Sequence, residues 1–393
     1  MTAAMRFASH AVTNVTDVDA LIPTLITPLR EQLGADPDLL MVFFTPQFLP
    51  FSHALSVALR ESLRPGVLLG CSAEAVIETQ AEHEGIPAVS AVAAILPDIQ
   101  IMPFALNGPD LGEALADPRQ FWLNQDLPQQ AKLFVMLGDP FTMPIEGLLD
   151  AFNTNAPGVP LVGGMASGAL RPGGNVLLLN EQLYNVGAVG VALEGALQVD
   201  VIVSQGCRPV GEPFTVTAAL GNAVLSIENN APATFIHALH ESMSLDDRAL
   251  LQNGLFIGRA IDPGREVMGR GDFLVRGVLG IEKETGAMLV GDVLRTGETA
   301  QFHLRDASTA AEDLELLLLP HSFGDAPAGG FLFSCNGRGE RLYDHPNGDV
   351  SRIQAALGSV PLAGFFAGGE LGPIGRRNFL HGHTASLVLL RPA

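Results

Sequence analysis

The 393 residues of this chain exceed what a single hydrophobic core usually serves, so more than one domain is expected. Apolar types make up 47% and charged types only 16%, a composition that excludes intrinsic disorder. With 42 acidic against 22 basic residues the formal net charge is −20, which excludes nonspecific binding to nucleic acid or to an anionic membrane surface.

Residues 1–21 place Asp17 and Asp19 where the apolar core of a secretory signal would lie. The chain nowhere holds the ~20 unbroken apolar residues that a membrane helix needs, so a cytoplasmic protein is expected. The first apolar run, residues 39–45, reads as a strand. After it Phe51, Leu55, Leu59 and Leu63 recur at helical spacing until Pro65-Gly66 stops the pattern. Residues 65–75, PGVLLGCSAEA, read as a second strand running into a glycine and small residues, and residues 88–96 as a further buried strand. The same order returns twice. Residues 133–138 precede a helix with Pro144 in its first turn and Ile145, Leu148, Leu149 and Phe152 on one face; residues 158–169, GVPLVGGMASGA, and 186–193 follow. Residues 330–335 precede a helix carrying Ile353 and Leu357 and closed by Gly358; residues 359–370, SVPLAGFFAGGE, and 384–390 follow. Each copy spans ~30 residues from its first run to its glycine, the length of a β-α-β unit. Between the second and third copies, residues 232–242 read as a helix, and Ser244 with Asp247 resembles a capping box opening another that Gly254 ends. Residues 273–279, 288–290 and 300–304 read as a β-meander and 309–318 as a helix with Thr309 and Glu312 in capping-box positions. The expected fold is α+β with mixed sheets in two domains. Residues 1–220 would hold two repeated units, and 221–393 the third unit with the meander.

A glycine at the exit of a buried strand lets backbone or ligand approach closely, although tight exits need glycine in any case. The three exits are therefore candidates for one cleft: Gly70 to Glu74, with Cys71 and Ser72; Gly163 to Ser167, with Gly164; and Gly364 to Glu370, with Phe365 and Gly369. None is a nucleophile elbow, a P-loop or a dinucleotide fingerprint. Cys71, Cys207 and Cys335 are odd in number and far apart, so free thiols in a reducing compartment are expected, and no base for a Cys71 nucleophile can be read. His237 and His240 share a helix face and His381 and His383 one side of a strand, but no third ligand stands at readable spacing, so no metal is expected. No C-x-x-C-H haem attachment is present. Arg305, Asp306, Arg338 and Glu370 all lie at the ends of apolar runs. Arginine with an acidic acceptor suits the carboxylate and ammonium of an α-amino acid; it equally suits a buried ion pair of Arg338 with Glu370 or Asp306.

Several motifs in order carry a family resemblance. Gly277-Val-Leu-Gly280, Phe302-His-Leu-Arg-Asp306, Phe333-Ser-Cys-Asn-Gly-Arg-Gly339, Pro361-Leu-Ala-Gly-Phe-Phe366, Gly369-Glu-Leu-Gly-Pro373 and Phe379-Leu-His-Gly382 resemble the FIST C-terminal domain. Leu69-Gly-Cys-Ser72, Gly163-Gly164 and the first two repeats resemble the FIST N-terminal domain. The resemblance implies a sensory, ligand-binding module of bacterial signal transduction, found also in some eukaryotic F-box proteins. Small ligands such as amino acids are proposed for the family, and some members are reported to bind haem and respond to nitric oxide. His383 stands where the family is expected to carry an aromatic residue. No kinase, cyclase or receptor-output segment is read, so any output is expected through a signalling partner.

The expected protein is a non-catalytic sensor of an amino acid or related carboxylate, without cofactor and without nucleic-acid or membrane partners. Its expected ligand-binding residues are Cys71, Ser72, Gly164, Ser167, Arg305, Asp306, Arg338, Phe365, Gly369, Glu370 and His381. The alternatives are an enzyme acting on a small carbonyl or amino substrate, a haem-binding gas sensor, and an interaction scaffold.

Overall fold

A computed structural model of the chain describes residues 4–108, 110–265 and 268–393. Two compact units are present, and each is discontinuous in sequence: residues 1–203, 314–380 and 384–393 form the first, and residues 204–313 with 381–383 the second. A cut at residue 220 falls at the end of a strand inside the second unit, and the third repeat joins the first two instead of the region before it.

The first unit is a triplicate. Its parallel strand pairs are Leu39–Phe44 with Val67–Ser72, Leu133–Gly138 with Leu161–Met165, and Gly329–Cys335 with Leu362–Ala367. Their crossover helices are Ser52–Leu63, Ile145–Asn155 and Gly348–Leu357. The six strands are apolar at nearly every position because both faces of each sheet are covered. Helices cover the outer faces, and the inner faces of all three sheets share one core. At its centre Phe365 stacks on Phe43 at 4.9 Å, and Phe333 meets both edge-on at 6.3 and 5.7 Å.

The three exit glycines are equivalent. Gly70 lies opposite Val42, Gly163 opposite Met136 and Gly364 opposite Leu332. A β-carbon at these positions would come within 2.2, 1.9 and 1.7 Å of the facing carbonyl oxygen, so only glycine lets the two strands run together.

All three six-stranded sheets have one strand order. A leading strand (Arg6–Thr13, Ile99–Leu106, Leu197–Gln205) is followed by a returning strand (Ala88–Ile95, Ala188–Gly195, Thr384–Pro392), then by the parallel pair. The last two places are taken by a hairpin from another repeat. Val76–His83 of the first repeat adds to the third sheet, Leu177–Tyr184 of the second to the first, and Glu370–His381 of the third to the second. The exchange is cyclic.

Each hairpin carries one polar clasp. Thr79 Oγ1 accepts the N–H of Leu362 at 2.9 Å, Asn180 Oδ1 that of Leu68 at 3.0 Å, and Asn378 Oδ1 that of Leu161 at 2.9 Å. These amides all stand two residues before the exit glycine. The clasp's own carbonyl in turn accepts from the crossover helix, through Gln354 at 2.6 Å, Ser56 at 2.9 Å and Asn153 at 3.0 Å.

The second unit is a closed six-stranded barrel with two helices, Pro232–Ser242 and Leu245–Leu251. Ser244 caps the second helix by accepting the N–H of Asp247 at 3.1 Å. The strands read as a meander close into this barrel. Phe273–Ile281 and Met288–Val290 are neighbours, but Thr299–Arg305 pairs with Cys207–Leu220 and Leu255–Ala260. In sequence the barrel is inserted after the third leading strand, ahead of the helix Ala307–Leu318. That helix is capped by Asp306, whose Oδ1 accepts the amides of Ser308 and Thr309 at 3.0 and 3.2 Å, and not by Thr309. Among the described residues no helix is long and apolar enough to cross a membrane.

Candidate functional site

Within the first unit, a cleft of about 640 Å³ opens at the carboxyl ends of the parallel strands. Chain turns there and leaves backbone and side chains uncovered, which makes strand exits the customary ligand position in α/β sheets. Every repeat contributes. Pro46 and Glu74 come from the first, Ser167 to Arg171 from the second, and Asn336 and Arg341 from the third.

Ser167 is the hub. Its hydroxyl donates to the Phe366 carbonyl and accepts the N–H of Glu74 at 2.9 Å, so one side chain of the second repeat ties the other two. Its own amide reaches the Ser72 carbonyl at 3.3 Å. Ser72 lies beneath, with Oγ accepting the Val176 amide at 3.0 Å. Across the cleft Arg341 pairs with Glu74 and donates to the Asn336 carbonyl at 2.8 Å. Arg171 stands exposed on the facing loop, and among the described residues it makes no ion pair.

The remaining expected residues are dispersed. Cys71 and Phe365 belong to the central core, and burial pushes the Cys71 thiol well above its ordinary range. Arg338 is wholly buried and bonds both oxygens of Asp349, at 2.9 and 2.6 Å, with the Tyr343 hydroxyl at 2.8 Å. Its ion-pair partner is thus Asp349, in place of the expected Glu370 or Asp306. Burial alone would depress the guanidinium, but the Asp349 carboxylate outweighs it and holds the charge. Glu82 accepts the amides of Asp349 and Val350 at 2.8 and 2.9 Å, and its other oxygen is buried without a hydrogen-bond partner among the described residues.

Glu370 is wholly buried and pairs antiparallel with Gly164, beside Gly369. One oxygen accepts from the Thr384 amide and hydroxyl at 3.2 and 2.8 Å; among the described residues the other meets only the weak Cys335 thiol. Burial, partly offset by Thr384, pushes its pKa up to about 8. Arg305, Asp306 and His381 lie in the second unit. There Asp306 pairs with Arg208 at 2.7 Å, and although burial opposes ionisation, Arg208, the Ser308 hydroxyl and the Thr309 amide lower its pKa to about 2.

The expected residues that reach the cleft are thus Ser167 on its wall and Ser72 beneath it. Arg171 and Arg341 were not foreseen: one stands in an R-P-G-G turn, the other in a four-residue helix, and no spacing relates them. Glu74 stood within a candidate strand exit and Asn336 within a family motif, and their positions just past apolar strands were the readable signal.

Comparison with known proteins bears on the whole chain. Residues 38–230 match the FIST N domain and residues 236–373 the FIST C domain. The chain is 37% identical over 363 residues to uncharacterized protein Rv0628c of Mycobacterium tuberculosis, covering 92% of this chain and 93% of that protein. It is 39% identical over 336 residues to uncharacterized protein Mb0898c of Mycobacterium bovis, covering 84% and 85%.

Proposed function

Because the chain belongs to the FIST family, whose domains are sensory modules of signal transduction, we propose that it binds a small carboxylate-bearing metabolite, an amino acid or a relative, in the first-unit cleft without turning it over. The carrying observation is that cleft. It lies where three strand pairs end, has the volume of a metabolite site, and is lined by two arginines and one carboxylate in a chain of net charge −20. Arg341 and Arg171 take the place first given to Arg305 and Arg338 as donors to a ligand carboxylate. The apolar wall of Pro46, Ala169 and Leu170 would receive a side chain or carbon skeleton. Binding without turnover is supported by the placing of Cys71, which lies wholly buried in the central core and does not line the cleft. An output would pass to a signalling partner.

Native mass spectrometry of the purified chain is expected to show a retained small molecule. Ala169→Trp, which fills the cleft from its wall, is expected to lose that mass while the thermal midpoint stays within about 2 °C of the parent. Retention of the same mass by Ala169→Trp would place the ligand elsewhere.

A further inference from the structure

Each repeat gives the cleft one charged side chain: Glu74, Arg171 and Arg341. Two are cations on a strongly acidic molecule, and a local basic lining of this kind draws small anions by focusing the field. The two arginines are not in the same state. Arg171 makes no ion pair among the described residues, whereas Arg341 is already engaged. Its Nη2 donates to Oε1 of Glu74, and its Nη1 lies 3.3 Å from Oε2. This is the two-pronged contact by which a guanidinium takes any carboxylate.

Glu74 therefore occupies the position in which a ligand carboxylate would meet Arg341. Its backbone is fixed, since Ser167 accepts its amide at 2.9 Å, but its side chain is 39% exposed and free to turn into water. Arg341 also donates to the Asn336 carbonyl at 2.8 Å, a contact made without Glu74.

We propose that Glu74 is a built-in competitor, and that a small organic anion enters the cleft by displacing its carboxylate from Arg341, with Arg171 as the second cation. The proposal rests on the small-molecule reading of the cleft and narrows its ligand class. A simple mono- or dicarboxylate exchanges with Glu74 one for one and leaves Glu74 solvated. An α-amino acid that used Glu74 to hold its ammonium would need the same residue as a contact. The two ligand classes predict opposite effects of removing the Glu74 charge.

The test titrates acetate, succinate and L-alanine calorimetrically into the parent chain, Glu74→Gln and Arg341→Gln. Glu74→Gln is expected to bind succinate about two- to fivefold more tightly, the range set by an exposed ion pair. Arg341→Gln is expected to lose that binding. Both variants should unfold with the parent, because the pair is exposed. Succinate affinity unchanged or weakened in Glu74→Gln overturns the proposal, as does L-alanine binding to the parent and being lost in Glu74→Gln. Absence of binding by all three probes also overturns it. In that case a molecule retained in native mass spectrometry and released by Ala169→Trp leaves the cleft reading intact, and no such molecule removes both.

Discussion

Glu370 has no exposed surface, and its carboxyl is held in a cage of Thr384, Cys335 and strand backbone. An ordinary glutamate titrates at 4.5, whereas burial pushes this one up to about 8. Between those values the folded chain keeps a proton that the unfolded chain has released. Its contribution to stability is therefore complete below the lower value and is lost as pH rises through the upper one. Glu370→Gln carries no titrating proton. Urea unfolding at pH 5 and pH 8 is expected to show the parent losing stability relative to this variant, by at most about 4 kcal/mol. Glu82, also near 8 through burial and the neighbouring Asp349, acts in the same direction, so the variant keeps part of the slope. Equal slopes in parent and variant would show that Glu370 is ionised in the fold. The sequence marked Glu370 and Arg338 as unusual because each ends an apolar run, but it offered Glu370 or Asp306 as the partner of Arg338 and not Asp349. Asp349 reaches Arg338 only because a crossover helix begins beside the strand exit, and the ten residues between them, four of them a short helix, carry no pattern that says so.

At the scale of elements, the exit glycines make the sharpest claim. Gly364→Ala drives a β-carbon to 1.7 Å from the Leu332 carbonyl oxygen, in a strand pair buried on both faces, and backbone on both sides leaves nothing flexible to yield. We expect a loss above about 3 kcal/mol, or failure to accumulate as soluble protein. Gly112→Ala, on an exposed helical position with nothing within 4 Å, is expected to stabilise by about 0.5–1 kcal/mol, and chemical denaturation of the two variants checks the contrast. The three β-α-β copies were legible because apolar runs, helical spacing and glycine recur in one order. The exchanged hairpins were not. They are two to five residues per strand, and what assigns each to a neighbour's sheet is a single clasp such as Thr79, Asn180 or Asn378, whose partner amide lies more than a hundred residues away. Nor was the barrel closure readable, since the sequence pattern marks only three of its six strands and does not say which strands pair.

Over the whole molecule, the barrel behaves as an insert in a closed triplicate. Its two ends meet: Ser204 Oγ and the Gln205 amide both donate to Asp313 Oδ2, at 2.8 and 2.9 Å. A short Gly-Ser turn replacing residues 206–311 therefore spans the gap, and termini this close are the usual condition for a tolerated insertion. The shortened chain is expected to fold, to show one calorimetric transition where the full chain shows two, and to retain the small molecule seen in native mass spectrometry. An unfolded product would mean that the triplicate depends on its insert. The cyclic exchange has a consequence for how such a protein can change over evolutionary time. A lone repeat would leave one sheet edge bare and one hairpin unplaced, so its natural state would be a ring of three identical chains, in which any substitution appears three times. Joined in one chain, the copies are released from that identity. Four residues past the exit glycine they now carry Glu74, Ser167 and Gly368, a carboxylate, a hydroxyl and no side chain at all. A symmetric frame has thereby acquired a polarity, and a molecule without symmetry of its own can tell one direction across the hub from another.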